Sequence, residues 1–130
     1  MNRAQERGQI RTLLGRLCRF HLWEPNSFGM HKAMPHEDAL QEHGPGIKRA
    51  YTYKSLNKLI QGSAADMTKK AMVDLYEKGI IPHIQIHDEL CFSTTDHEAK
   101  LIKETMEQTI PLEVKNKVDY ESGANWGTIK

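Results

Sequence analysis

Histidine, aspartate and glutamate stand side by side at His87, Asp88 and Glu89, within the stretch HIQIHDELCF of residues 83–92. Short apolar runs flank the triplet, so the pattern predicts a hairpin with an imidazole and two carboxylates at its tip, where Gly or Asn is the ordinary choice. Two adjacent negative charges repel unless a cation or a basic partner is close. Hard oxygen donors of this kind suit Mg2+, which keeps several waters and needs only one or two protein carboxylates besides substrate phosphates. That is the donor set of two-metal phosphoryl transfer, in which one ion activates the attacking hydroxyl and the other stabilises the leaving pyrophosphate. A polar turn exposed to water has the same composition, and spacing by itself does not separate the two readings.

A second group is Tyr53, Asn57 and Gln61, four apart and therefore on one stripe of a helix, beside Lys54 and Lys58. Asn and Gln carry donors that can reach the acceptors every base pair shows in the minor groove, which tests pair geometry without reading sequence. A solvated helix face carries the same residue types. Four of the seven histidines, His21, His31, His36 and His43, fall in one polar segment. Their spacing matches no ligand pattern and no cysteine joins them, so a solvated loop is expected there.

These groups need elements to hold them. Leu56, Ile60, Ala64, Met67, Ala71 and Leu75 recur every three or four positions, which predicts a long amphipathic helix over residues 48–78 with Gly79 as its stop. Gly62 in its interior costs about 1 kcal/mol relative to alanine, tolerable where something must approach the backbone closely. In the central hairpin Ile84 and Ile86 face one way and His83, Gln85 and His87 the other, so the apolar side needs helices over it. Residues 96–108 read as a second, shorter helix with Asp96 as N-cap and Ala99, Ile102 and Met106 as its stripe. The run PLEVKNKVDY, residues 111–120, alternates well enough for a last strand, followed by a tail with Trp126. At the other end, residues 2–7 read as a helix capped by Gly8, followed by two strands from QIRTLL and LCRF around a glycine turn. Residues 21–46 keep no period and read as a loop or insertion with a short helical turn near PHEDALQEH. The expected fold class is α+β, with antiparallel hairpins backed by the long helix and the second one, in a single domain over residues 1–130.

Composition narrows the classes. A net charge of +1 with 27% charged residues gives no overall basic field, so a nucleic-acid role must come from local placement. Cys18 and Cys91 are far apart, give neither a disulfide framework nor a zinc ribbon, and point to a reducing, cytoplasmic setting. The polar start MNRAQERGQIR has no apolar signal core and no apolar run is long enough to span a bilayer, so no membrane partner is expected.

The two groups together resemble the C-terminal part of the palm of family A DNA polymerases, the class of bacterial repair and many phage replicative enzymes. The stretches that carry the likeness are RAQERGQIRTLLGRLCRF, LNKLIQGSAADMTKKAMVDL, IQIHDELCF and PLEVKNKVDYESGANW, in the family's order and covering most of the chain outside residues 21–46. The resemblance implies that Asp88 is one of two aspartates holding catalytic Mg2+ and that Glu89 lies near the metals and the primer terminus in a supporting role. It implies that His87 contacts the primer end, and that Asn57 and Gln61 contact the duplex near the insertion site. Where the family usually carries an arginine, four positions before Asn57, this chain has Tyr53, with Lys54 beside it as an imperfect substitute lacking the planar fork. Residues 21–46 are not the family's usual connection.

The expectation is thus a C-terminal piece of a split or truncated DNA polymerase, inactive alone. Its partners would be an N-terminal polymerase fragment supplying the other aspartate and the fingers, primer-template DNA and a deoxynucleoside triphosphate, in the cytoplasm of a bacterium or phage-infected host. A non-catalytic duplex-binding or interaction module that keeps the palm fold is the alternative. A stand-alone metal-dependent hydrolase would need His31, His36 or His43 at the hairpin tip.

Overall fold

The computed structural model describes residues 1–129. In chain order the elements are α1 (Asn2–Arg7), β1 (Gln9–Arg11), β2 (Leu17–Arg19), β3 (Trp23–Pro25), α2 (His36–His43), β4 (Ile47–Arg49), a 3-10 turn (Thr52–Lys54), α3 (Ser55–Glu77), β5 (Ile84–Ile86), β6 (Glu89–Cys91), α4 (Asp96–Gln108) and a last 3-10 turn (Trp126–Thr128). The strands form three separate antiparallel pairs, β1–β2, β3–β4 and β5–β6, and with the helices make an α+β fold. Two compact units, Met1–Ser63 and Ala64–Lys130, divide the chain within α3.

In the first unit α1 ends on Gly8 as expected, the Gly8 N–H donating to the Ala4 carbonyl. The β1–β2 hairpin pairs Gln9 with Arg19 and Arg11 with Leu17. Residues 21–46 hold more structure than their composition suggests. β3 pairs with β4, setting Trp23 opposite Arg49 and Glu24 opposite Lys48, and α2 occupies the anticipated helical turn. This pairing explains why the long helix begins at Ser55 rather than near residue 48: Ile47–Arg49 is taken by a strand partner, and Tyr51, at φ 63°, breaks any helix that would cross it. Arg49 ties the region together. Its guanidinium lies 4.6 Å from the Trp23 ring centroid and donates to the Gln5 carbonyl at 3.0 Å and the Phe20 carbonyl at 3.2 Å. Gln5 returns a bond from its amide to the Arg49 carbonyl at 3.1 Å. The buried apolar side chains here are Ala4, Phe20, Ala39 and Ala50.

In the second unit α3 stops as its sequence predicts. Gly79, at φ 79°, donates to the Tyr76 carbonyl while the Ile80 N–H reaches back to the Leu75 carbonyl at 2.9 Å, the paired bonds of a left-handed helix stop. Leu75 is fully buried, with Ala71, Ile102 and Ile110 buried around the same elements. The expected stripe of α3 divides: Ala71 and Leu75 are buried, whereas Leu56 and Ile60 are 65% and 60% exposed. α4 is capped by Thr95, not Asp96: the Thr95 hydroxyl accepts from the Glu98 N–H, and Asp96 becomes the first helical residue, where its charge still suits the helix dipole. Its buried face is Ile102 with Thr105 and Thr109, while Ala99 and Met106 are half-buried. No strand forms over residues 111–120. Alternation supplies a face, but a strand also needs a neighbour with free backbone groups, and no strand pairs there; the Val118 N–H is satisfied instead by the Glu107 carboxylate at 3.0 Å.

Candidate functional site

The β5–β6 ribbon pairs Ile84 with Cys91, Gln85 with Leu90 and Ile86 with Glu89, which leaves His87 and Asp88 as a two-residue connection. The His83 N–H continues the ladder onto the Cys91 carbonyl at 2.8 Å. Two-residue hairpins require backbone with positive φ and normally recruit Asn or Gly for it. Here His87 takes φ 52°, a left-handed conformation that histidine reaches more readily than most side chains but still at a cost. Ile84 and Ile86, 37% and 38% exposed, are only partly covered on their apolar side.

His87, Asp88 and Glu89 are all exposed. Among the described residues Asp88 enters no ion pair, so its carboxylate is not neutralised by a lysine or arginine of these residues. Glu89 Oε1 accepts from the Cys91 thiol at 3.8 Å, two residues along the same strand face. Partial burial and the neighbouring Glu89 charge push the Cys91 thiol up, so it stays protonated and acts as a donor to that carboxylate. Among the described residues no three His, Cys, Asp or Glu side chains gather into a cage for a metal ion. Two adjacent exposed carboxylates do fit Mg2+, whose remaining positions are filled by water and substrate oxygens rather than by protein.

The second group lies in the first unit. Asn57 and Gln61 are exposed one turn apart on α3, and Lys54 ends the 3-10 turn just before it. Lys54 Nζ sits 5.1 Å from the Tyr51 ring and 5.7 Å from the Tyr53 ring, and Lys58 Nζ 4.9 Å from the Phe20 ring, so both ammonium groups are held over aromatic faces. Beside Gln61 the β1–β2 turn locks onto the helix. The Leu13 N–H donates to Ser63 Oγ at 3.0 Å, Arg16 Nη2 donates to the Gly62 carbonyl at 3.0 Å, and a Cβ on Gly62 would stand 2.8 Å from Thr12 Cγ2. The close approach anticipated at Gly62 is therefore the hairpin's own Thr12. The structure gathers His87, Asp88 and Glu89 on one turn and Lys54, Asn57 and Gln61 on one stretch of the other unit. In the 21–46 segment His31 and His43 have ring centroids 6.5 Å apart and His36 packs edge-on to Trp23 at 4.8 Å.

Arg11 and Arg19 are also exposed, on the β1–β2 hairpin, within a run of residues 7–23 that contains four arginines and no aspartate or glutamate.

The sequence profile of DNA polymerase family A matches residues 1–128. The chain belongs to that family. It is 40% identical over 126 residues to the DNA-directed DNA polymerase of Pseudomonas phage M6, covering 96% of this chain and 16% of that relative. It is 44% identical over 86 residues to DNA polymerase I of Bacillus subtilis (strain 168), covering 58% of this chain and 10% of the relative. The thermostable DNA polymerase I of Thermus thermophilus aligns over 138 positions at 29% identity, covering 100% of this chain and 14% of the relative. This family A chain thus spans no more than about a sixth of the length of these relatives. No solved structure matches it. Among the described residues no helix of this family A chain is long and apolar enough to cross a membrane.

Proposed function

We propose that these residues form the C-terminal part of the palm, one domain with residues 21–46 as an insertion, in a DNA-directed DNA polymerase that adds deoxynucleotides to a primer 3′ end. The observation that carries this reading is the Asp88 carboxylate, exposed and, among the described residues, outside any ion pair at a strained hairpin tip, in a chain matched nearly end to end by the family A profile. Because the chain spans only 16% of its phage relative, the second metal-binding aspartate and the fingers come from an N-terminal polymerase part, with which these residues act in the cytoplasm of a bacterium or infected host.

Asp88 would hold Mg2+, with Glu89 adjoining it. When bound, that ion supplies a lowered pKa at the primer hydroxyl and neutralises charge on the triphosphate. Glu89 keeps a second negative charge beside Asp88 and accepts from the Cys91 thiol, which fixes its side chain along the strand. His87 presents ring donors and acceptors at the primer terminus. Asn57 and Gln61 offer donors to minor-groove acceptors of the newly formed pair, and Lys54 adds charge near the phosphates.

A chimera tests this: the phage M6 polymerase with its matching segment replaced by this chain, assayed for Mg2+-dependent primer extension. Asp88→Ala and Asp88→Asn should each lower kcat by about a thousandfold or more, equivalent to about 4 kcal/mol of transition-state stabilisation. Equal extension by either variant removes Asp88 as a ligand. A chimera that binds duplex but never extends it favours the non-catalytic module instead.

A further inference from the structure

Residues 21–46 and the turn that leads into α3 meet at one side chain. Arg49 closes β4 opposite Trp23, and its half-buried guanidinium rests on the Trp23 ring, 4.6 Å from the centroid. Nε donates to the Gln5 carbonyl at 3.0 Å and Nη1 to the Phe20 carbonyl at 3.2 Å, so one planar group joins α1 to the residue after β2. A Cβ on Gly8 would stand 2.6 Å from Arg49 Cζ, which means that the guanidinium fills the space over that glycine. Trp23 is itself fixed from within the 21–46 segment. It exchanges backbone hydrogen bonds with Met34 at 2.7 and 3.0 Å, and His36 of α2 packs edge-on to its indole. The segment thus reaches Arg49 through one ring.

The same residue acts forward along the chain. The Arg49 carbonyl accepts from Gln5 Nε2 at 3.1 Å, and that amide also donates to the hydroxyl of buried Thr52, the first residue of the 3-10 turn. Ala50 is buried, and its N–H donates to the Leu22 carbonyl at 2.8 Å. Between these anchors Tyr51 takes φ 63°, a left-handed conformation that a side chain with a Cβ keeps only where its neighbours over-determine it. The Tyr51 carbonyl in turn accepts from the Lys54 N–H at 3.0 Å, and α3 starts at the next residue, with Asn57 in its first turn. Where Lys54 and Asn57 stand therefore depends on a backbone held by Arg49 and Gln5. Lysine at 49 would bring a single ammonium, without the flat fork that serves two carbonyls and lies on a ring at once. We propose that Arg49 is a positioning residue through which the 21–46 segment sets the turn and the start of α3, so that Lys54 and Asn57 are presented to the duplex in one fixed arrangement. This rests on the polymerase reading for what Lys54 and Asn57 touch.

Amide hydrogen exchange on the whole chain and primer extension by the phage M6 chimera test it together. Arg49→Lys, Trp23→Leu and, from the other side of the bridge, Gln5→Ala should each speed exchange of the Ala50 and Lys54 amides about tenfold and leave the amides of α4 at parent rates, because local opening exposes only the segment that lost its anchor. In the chimera the same variants should raise KM for primer–template about tenfold while kcat stays within about twofold, the pattern of lost duplex placement rather than lost chemistry. Combined with Lys54→Ala/Asn57→Ala, Arg49→Lys should add less than about twofold to the KM of that double variant, since residues that act through one another are not additive. Parent exchange rates at Ala50 and Lys54 in the folded variants overturn the proposal, and so do rates raised equally in α4, which mark a general loss of stability. Full additivity with Lys54→Ala/Asn57→Ala overturns it too, because Arg49 would then act by another route. If Arg49→Lys loses its helical circular dichroism, Gln5→Ala decides the matter alone. A Lys54→Ala/Asn57→Ala chimera with parent KM removes the duplex contact, and with it the purpose assigned to Arg49, whereas the Asp88 variants fail or succeed independently of all these results.

Discussion

At the scale of single residues, the tip of the β5–β6 ribbon sets a functional demand against a conformational one. His87 holds φ 52° where glycine would be unstrained. Left-handed backbone in a residue with a Cβ costs on the order of 1–2 kcal/mol, a cost that the proposed contact of the His87 ring with the primer terminus would offset in function and not in folding. His87→Gly should therefore raise the urea midpoint of the isolated chain, with a gain of up to about 1 kcal/mol once glycine's greater unfolded freedom is subtracted. In the chimera the same change should slow primer extension. A His87→Gly chain less stable than its parent would mean that the imidazole contributes to folding and that the strain argument is wrong. The residue types at this tip were legible in the sequence because a charged triplet replaces turn formers. The dihedral was not, since composition carries no angle. Arg49 was invisible for another reason: its carbonyl partners are Gln5 and Phe20, 44 and 29 residues away, and nothing local marks a residue by contacts so distant.

At the scale of elements, periodicity located α3 and α4 and the glycine stops at Gly8 and Gly79, because those are set by neighbours along the chain. It misplaced the start of α3 and a last strand over residues 111–120, because both depend on non-local strand partners: β3 captures Ile47–Arg49, and no strand receives the alternating C-terminal run. Gly62 shows the two levels in conflict. Within a helix, glycine to alanine is ordinarily stabilising by about 1 kcal/mol. Here the added Cβ would meet Thr12 Cγ2 at 2.8 Å, and Thr12 is buried and held by the hairpin backbone. Overpacking costs about 1–3 kcal/mol, so Gly62→Ala should lower stability despite the better propensity. Thr12→Ser removes the methyl and keeps the hydroxyl that accepts from the Arg16 N–H at 3.1 Å. The double variant Thr12→Ser/Gly62→Ala should then be more stable than Thr12→Ser alone. Thermal unfolding of the three proteins decides it, and a Gly62→Ala single variant that melts above the parent would show that the hairpin moves aside freely.

At the scale of the whole molecule, a near-neutral total hides a division. Residues 1–63 carry a net +5, while residues 64–130 carry eight basic against twelve acidic residues, a net −4. Summed over the chain these give +1, so bulk composition hides that Lys54, Asn57 and Gln61 lie in the basic part while His87 and the metal-ligand candidate Asp88 lie in the acidic part. The acidic unit's dependence on pH follows from how its carboxylates are held. Lys70 Nζ donates to both Asp74 oxygens, at 3.1 and 3.0 Å, and the Thr109 hydroxyl lies 3.0 Å from Oδ2. The Lys70 bond, aided by Thr109 and by the Lys70 and Lys78 charges and opposed by partial desolvation, holds the Asp74 carboxyl below the usual aspartate range. A carboxyl whose pKa is lower folded than unfolded takes up its proton in the unfolded chain first. Its stabilisation is thus complete above the unfolded value of about 4 and is lost as pH falls through the folded value. Melting temperatures measured from pH 6 downward should fall in the parent once pH passes about 4, and Asp74→Asn should be less stable at neutral pH yet flatter across that acid range. If Asp74→Asn keeps the full acid slope, the α3–α4 contact through Lys70 and Thr109 is not what makes this unit sensitive to protons.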